Sequence, residues 1–519
     1  MNLVGHIFAK DTRHLTWEVV VSVALTAGFA WFYPYIFMPQ AWIAQRHVAY
    51  PETMGVIGGF LITFAPVAWW VLLTRLVQIE SLVGDRQWWI TKPYEWGDLL
   101  TAKLLFVLTF VVAPLLVAEG SMLAIGGFRP YEYLPSLGFN LLWTVCRIVL
   151  PLMAIATVTA SFGKTTLTML GIAVAAVVLL VVLQFSRGSG FTAPAGPWIA
   201  FIVAVCVAAA AIVWQYATRR VWIARGLLVL MVVLVGAVLC VSCTSAAISL
   251  QYPRGNAPLQ LAYDAGNHST TFWTYTGTHL VGVSVPVNVS GIGADTLVNL
   301  DSVQVTAVAP DGNHWTSAWE PIGGARYDDS DQLSQMLPIQ IGDDFFDREK
   351  SLPLTLHLRF AVSRMRKVAQ TSMILGDAEF AVPAFGLCSP NDYRHNGEIS
   401  GVTCRAALRQ PELTLVAVEW SDAWCKDRAP DAPYVRGEGW AGETSPAPAE
   451  FGLSPVFQIN FGLSNGQKPD GHGGVGGTRY LCAGSTMTFT RYTLAGRSEY
   501  DVTFEDYRVP PMPTLEIRQ

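Results

Sequence analysis

The chain has 519 residues, 52% of them hydrophobic and only 14% charged, where soluble domains carry roughly 25% charged residues. With a mean hydropathy of +0.36, this excludes a disordered chain and argues against a wholly soluble one. Charge divides the chain as well: residues 1–248 hold 14 Lys and Arg against 9 Asp and Glu, and the remainder 20 against 30, so the acidic second half lacks the clustered cations of a nucleic-acid surface.

The chain opens on an amphipathic stretch, MNLVGHIFAKDTRH, and then on seven apolar segments at 16–37, 54–77, 104–127, 134–160, 166–185, 197–216 and 226–249. A membrane-spanning helix needs about 20 predominantly apolar residues, so each predicts a span. The first is too long for a signal-peptide core and no small-residue cleavage site follows it, so it is expected to stay in the mature protein. The pair 166–185 and 197–216, joined by SRGSGFTAPAG, either crosses twice or forms a re-entrant hairpin. The LCVSC stretch in the last segment is internal, which argues against lipidation.

Between the second and third segments runs RLVQIESLVGDRQWWITKPYEWGDLLTAKLL. It mixes Glu80, Asp85, Arg86, Lys92, Glu95, Asp98 and Lys103 with Trp88, Trp89 and Trp96, and Gly84 and Pro93 bracket a stretch suited to a short surface helix. An aromatic belt with solvated charges and a docking element for a cytoplasmic partner both fit this composition. Two charges lie within the apolar segments that follow: Glu119 toward one end of the third and Arg147 at the middle of the fourth. A bare cation there costs at least a few kcal/mol, so Arg147 is expected to face the bundle or a wet cavity, with Glu119 as its partner. Pro66, Pro114 and Pro151 interrupt three successive spans and predict kinks. Ser161-Phe162-Gly163-Lys164-Thr165-Thr166 suggests a phosphate loop, but Val158 stands where its first glycine belongs, so a tight turn is expected.

With the N-terminus in the cytoplasm, ten Lys and Arg fall on the cytoplasmic side against Arg46, Arg129 and Arg187 on the other, a positive-inside bias. Seven crossings then place residues after 249 outside. That half reads as all-β. HLVGVSVPVNVSG, DSVQVTAVAPDGNHW, LPLTLHLRFAV and STMTFTRYTL alternate with period two and are separated by turn signals. A sandwich-like domain is expected over 250–519, divided into two sub-domains near 382–390 if AVPAFGLCSPNDY breaks the strands. The fold class is thus an α-helical membrane bundle of about seven spans, residues 1–249, followed by this all-β soluble region. Cys388, Cys404, Cys425 and Cys482 form an even set in the exported half and predict disulfides 388–404 and 425–482.

Catalytic motifs are lacking: no HExxH, GxSxG or GxGxxG occurs. The acids at 328, 329 and 331 and at 343, 344 and 347 lack calcium-loop spacing, and the lone His472 is no zinc site. No catalytic residue, metal or cofactor is expected.

The segment between the second and third spans resembles the coupling region of ABC-2-type transporter permeases, through Glu80, Gly84, Asp85, Arg86, Pro93, Leu99, Leu100, Ala102, Lys103, Leu104 and Leu105. The amphipathic start resembles the interfacial helix of that family, and the likeness covers roughly residues 1–220. It implies a permease that forms homodimers or heterodimers in a bacterial-type inner or plasma membrane. It also implies binding to a separate cytoplasmic ATPase through the coupling helix, and outward movement of a bulky or amphipathic substrate. A seventh span and the exported β-region are additions to the family pattern. Two other functions fit the sequence: a membrane-anchored binding or sensor protein, and a membrane enzyme with an unrecognised site.

Overall fold

The computed structural model describes the chain apart from residues 1–2, 38–51, 81–94, 173, 175–190, 192, 243, 256–258, 265, 267–269, 274–279, 323–325, 328–333, 375–378, 383–385, 393–398, 409–412, 420–436, 442–454, 463, 466–485 and 510–519. The helices are α1 (Leu3–His14), α2 (Thr16–Phe37), α3 (Glu52–Gln78), α4 (Trp96–Ile125), α5 (Pro130–Val158), α6 (162–172), α7 (Ala195–Thr218), α8 (Val221–Ser242), α9 (Ser245–Gln251) and α10 (Asp343–Glu349). Six of them, α2, α3, α4, α5, α7 and α8, are long and apolar enough to cross a membrane. The count among the described residues is therefore six rather than about seven, because of the segment 166–185 only the part in α6 and residue 174 are described.

Two of these spans depart from regular α-helix in the same way. Leu108–Val112 in α4 and Val145–Val149 in α5 are π-helical turns, each ending two residues before a proline, Pro114 or Pro151. A proline ring offers no N–H to the carbonyl four residues back and crowds it, and the helix accommodates this by widening. Outward-facing side chains are apolar along most of the spans. In α8 only 6% of the most apolar window is buried, as suits a lipid-facing helix, since lipid rather than protein solvates the outer side of a membrane bundle.

The described residues form two compact units, one of 1–173, 201–235 and 370–491, the other of 174–200, 236–369 and 492–519. Helix gives way to strand between Gln251 and Gln260.

In the first unit α2 packs on α3 and α4 around Phe29, Tyr33, Trp69, Leu72, Leu76, Phe106 and Met122. The unit also holds an antiparallel sheet of β10 (Phe380–Val382), β11 (Gly386–Asp392), β12 (Ile399–Ala407) and β15 (Val456–Gly462). Cys388 and Cys404 face each other across β11 and β12, both fully buried, and are joined by a disulfide. On either side of the expected division near 382–390, Phe380–Val382 pairs antiparallel with Gly386–Cys388. Residues 383–385 lie outside the described residues, and the two compact units divide between residues 369 and 370.

The sheet sits on one end of the helices. Leu387, Ala407, Leu408 and Val456 join the same apolar core as Phe29, Leu123 and Phe128. The Tyr33 hydroxyl donates to the Val456 carbonyl at 2.7 Å, and the Arg405 guanidinium to the Gly126 carbonyl at 3.0 Å. Gly126 and Gly127 allow this approach: a Cβ on Gly127, whose φ is +90°, would stand 2.8 Å from a Leu387 methyl.

The second unit is a two-sheet sandwich. β3 (Leu280–Ser290) pairs with β1 (Gln260–Tyr263), β2 (Thr270–Trp273) and β8 (Ser334–Gly342). Facing it, β4 (Thr296–Val308) pairs with β9 (Leu354–Ile374), which neighbours β17 (Thr486–Tyr507). Alternate residues of β3 (Val281, Val283, Val285, Val287) and of β9 (Leu354, Leu356, Leu358, Phe360) share one core, as period-two patterning requires.

A β-bulge between Leu300 and Ser302 turns Asp301 out of the ladder. Its carboxylate accepts hydrogen bonds from Tyr252 (2.8 Å), Ser363 and Asn299. Burial drives the Asp301 carboxyl above its usual range despite these donors. Ser249 donates to Glu499, which also pairs with Arg359. The exit from α9 is thus fastened to the sandwich by buried polar groups.

Candidate functional site

The residues singled out between the second and third spans divide into two groups. Gly84, Asp85, Arg86, Trp88, Trp89 and Pro93 lie outside the described residues. Glu80, Trp96 and Lys103, which flank them, are described, and two of the three turn inward.

Lys103 sits two turns into α4, fully buried. A buried ammonium needs acceptors for all three of its protons. Lys103 Nζ donates to Asp11 Oδ2 at 2.7 Å and to the Leu76 carbonyl at 2.9 Å, and Glu80 Oε2 stands 2.8 Å away as its ion-pair partner. Lys10 closes the network by pairing with Glu80 and standing 3.7 Å from Asp11. Two carboxylates and two ammonium groups give a neutral cluster, the condition under which buried charge is tolerable. Ile7, Leu72, Leu76, Leu99, Ala102 and Phe106 surround it.

Local sequence explains each placement. In α1, Val4, Ile7 and Asp11 share a face at helical spacing, so the face that buries Ile7 carries Asp11 with it. Phe8 stacks on Phe110 of α4 at 5.8 Å and holds α1 along that helix. Glu80 closes the turn after α3, and Asp98 in the first turn of α4 complements that helix's N-terminal dipole. Burial is the largest influence on both carboxylates and pushes each upward. For Asp11 it prevails over Lys103 and its carboxyl is raised. For Glu80 the two lysines together outweigh burial, and its carboxyl is held below the usual range.

The network ties three elements: α1, the end of α3 and the start of α4. The last two are the two ends of the 81–94 segment. Glu80 and Lys103 thus join the residues on either side of that segment. Trp96, at the first residue of α4, is exposed. Lys10 and Asp11 are the partners that sequence reading missed; the signal for them was an acid on the apolar face of an amphipathic helix.

Nearby, the SFGKTT stretch is not itself the expected tight turn: a bend at Ala160 and Ser161 leads into α6, whose first residues are Phe162–Thr166. Thr165, the residue a phosphate loop would present to its ligand, is buried and bonded to Gln78 (2.8 Å) and Thr159 (2.6 Å). Arg225 of α8 donates twice to the Val158 carbonyl, at 3.1 and 3.2 Å. Gln78, Glu80, Lys103, Val158 and Arg225 thus gather at the end of the helices opposite Tyr33 and Gly126.

The expected Glu119–Arg147 pair is not formed as such. Glu119 is fully buried and accepts from Asn140 at 3.0 Å, while Arg147 lies on an exposed side of α5 within its π turn. The π turn resets the helical phase by part of a turn, which the simple 3.6-residue reading of that span does not include. Of the cysteines, Cys388–Cys404 is formed as expected, and Cys425 and Cys482 lie outside the described residues. Among the described residues no group of His, Cys, Asp and Glu could hold a metal ion.

Fold and site together define a multi-pass membrane protein with a β-rich domain. No protein-family model matches the chain, and no curated protein matches it.

Proposed function

We propose that the chain is the permease-like subunit of an ABC-2-type exporter, coupled through the 80–103 segment to a separate cytoplasmic ATPase. The observation that carries this reading is the buried Lys103–Asp11–Glu80–Lys10 network. It fastens the residues flanking an aromatic, charged segment to an amphipathic N-terminal helix, so a push on the segment moves α1, α3 and α4 together. The positive-inside bias puts this end of the bundle in the cytoplasm. The sheet β10–β11–β12–β15 rests on the other end, which supports an extracytoplasmic place for it, and its disulfide fits an oxidising compartment. Asp85 and Arg86 supply charged hydrogen bonds to the ATPase, and Trp88 and Trp89 fill pockets on it. The permease works as a homodimer or heterodimer in a bacterial-type inner or plasma membrane, and its substrate is bulky or amphipathic.

The test is co-purification from native membrane. An ABC ATPase should accompany the wild-type chain and be lost when Asp85→Arg and Arg86→Asp are combined. If the doubly reversed variant is made in normal amount and still brings down the same ATPase, the docking assignment is wrong. If no ATPase accompanies the wild type, the reading as a membrane-anchored binding protein replaces it.

A further inference from the structure

Glu119 lies near the end of α4, inside a segment long and apolar enough to cross a membrane, and its side chain is fully buried. It shares its face of α4 with Leu115, Met122 and Leu123, which are buried at helical spacing from it. Asn140 of α5 donates from Nδ2 to Glu119 Oε1 at 3.0 Å. The other oxygen, Oε2, is buried with no hydrogen-bond partner among the described residues, and no lysine or arginine among them pairs with the carboxyl.

The Lys103 cluster is the contrast. There two buried carboxylates, Asp11 and Glu80, stand 2.7 and 2.8 Å from an ammonium. Glu119 has only an amide in that place. An amide dipole does not offset a full negative charge in an apolar interior, where an isolated carboxylate costs far more than a neutral polar group. A carboxylic acid fits the same geometry: Oε1 accepts from Asn140 as a carbonyl oxygen, and Oε2 carries the O–H. Asn140 is only half-buried, so the carboxyl stands one hydrogen bond from the outer face of α5. Each helix of the pair also holds a π turn, Leu108–Val112 before Glu119 and Val145–Val149 after Asn140, a feature that recurs at functional sites.

We propose that Glu119 is a proton-binding site inside the helical bundle, with Asn140 as its positioning residue, and that it exchanges its proton with solvent while the protein stays folded. Binding adds one proton to Oε2 and removes one negative charge from the apolar interior. No other bond forms or breaks. The Asn140 amide fixes which oxygen is left to take the proton, since it already occupies Oε1.

Infrared spectroscopy of the full chain in lipid vesicles tests this, at about pH 8, where exposed glutamates are ionised. Subtracting the spectrum of Glu119→Gln from that of the wild type should leave the carbonyl stretch of a protonated carboxylic acid. On transfer to heavy water the band should move to lower frequency. Asn140→Leu should move it to higher frequency, because the hydrogen bond to Oε1 is lost, whereas a packing role for Asn140 alone would leave it in place. A carboxylate stretch instead of the acid band overturns the proposal. So does an acid band that heavy water leaves unmoved, since that proton does not exchange, or one that Asn140→Leu leaves unmoved.

Glu119→Gln keeps the size of the side chain and an acceptor for Asn140, so it should fold as the wild type does. If it does not accumulate, the chain is labelled with glutamate carrying carbon-13 in its carboxyl, in a Glu320→Gln background that removes the buried glutamate of the sandwich. The label separates glutamic from aspartic acid bands, Asp301 included. An isotope-shifted acid band that responds to heavy water and to Asn140→Leu is then required, and its absence overturns the site. The readout is independent of any ATPase, so its failure and that of the permease reading are distinguishable.

Discussion

Replacing Lys103 by Met isolates the electrostatic part of the buried network. Met is unbranched like Lys and keeps the contacts with Leu99 and Phe106, so little packing is lost. What disappears is the donor for Asp11 Oδ2 and the Leu76 carbonyl and the cation beside Glu80 Oε2. Glu80 keeps Lys10, while Asp11 keeps only that ammonium at 3.7 Å. Removing one member of a buried ion pair costs about 3–5 kcal/mol, mostly because the remaining charge is stranded. At roughly 2–4 °C per kcal/mol, the detergent-solubilised protein should melt roughly 6–20 °C lower. Loss should begin at α1, so limited trypsin should cut sooner at Arg13, which is exposed but helical. Adding Asp11→Asn removes the stranded charge and should recover part of the stability. If Lys103→Met melts within about 2 °C of the wild type, or if Asp11→Asn worsens it, the network does not carry the load assigned to it.

Three further outcomes follow from the β-region. Asp301→Asn should lower stability by about 1–3 kcal/mol, because the amide has one acceptor oxygen where the carboxylate has two, so either the bonds from Tyr252 and Ser363 or the bond from Asn299 is lost; a thermal melt against Tyr252→Phe, expected to cost less, checks it. Glu320 is buried and its carboxyl is pushed up to about 7 from an ordinary 4.5. The folded state therefore holds that proton more tightly than the unfolded one. This contribution is full below pH 4.5 and is lost as pH rises through 7, so Glu320→Gln should be nearly neutral at pH 5 and stabilising by up to about 3 kcal/mol at pH 8. An equal effect at both pH values refutes it. Changing both Cys388 and Cys404 to Ser should cost about 2–4 kcal/mol, and non-reducing peptide mapping of the wild type should recover the 388–404 bridge, with free thiols at both positions refuting it.

Much of the architecture is legible in the residues because its signals are local. Runs of 20 or more apolar residues specify the spans, and the period-two valines of 281–289 specify β3 whatever they pair with. The Cys388–Cys404 pairing is legible for a similar reason, since the two lie on neighbouring strands of one sheet. Long-range features are not. Lys103 reads as one more cytoplasmic positive charge until α1 is folded against it, because nothing in LLTAKLL reports an acid 92 residues earlier. The pairing of Phe380–Val382 with Gly386–Cys388 is likewise not announced by AVPAFGL, since Pro and Gly mark a break in a strand without saying what the flanking residues pair with. The π turns follow from the prolines in hindsight, yet a proline alone specifies a kink and not which way the ladder relaxes.

The charged network also poses a question that stability alone does not answer. Desolvating four charges is expensive, and well-packed apolar residues often replace such clusters at no loss, so a buried network is weak evidence of a stabilising purpose. Its distinguishing property is geometric: Lys103 of α4 is held by Asp11 on α1 and by the Leu76 carbonyl and Glu80 at the end of α3, and only one placement of α1, α3 and α4 satisfies these contacts together. Combining Lys103→Met, Asp11→Leu and Glu80→Met removes the charges without stranding any in the core, since Lys10 is part-exposed and reaches water. This triple variant should melt close to the wild type and above Lys103→Met alone. It should also lose ATPase stimulation or co-purification, because apolar contacts allow α1 to slide where directional bonds do not. A triple variant that is stable and still couples shows that the network only fills space, and the coupling assignment would then rest on the 81–94 residues alone. A triple variant that is unstable shows the reverse, that these charges hold the bundle together.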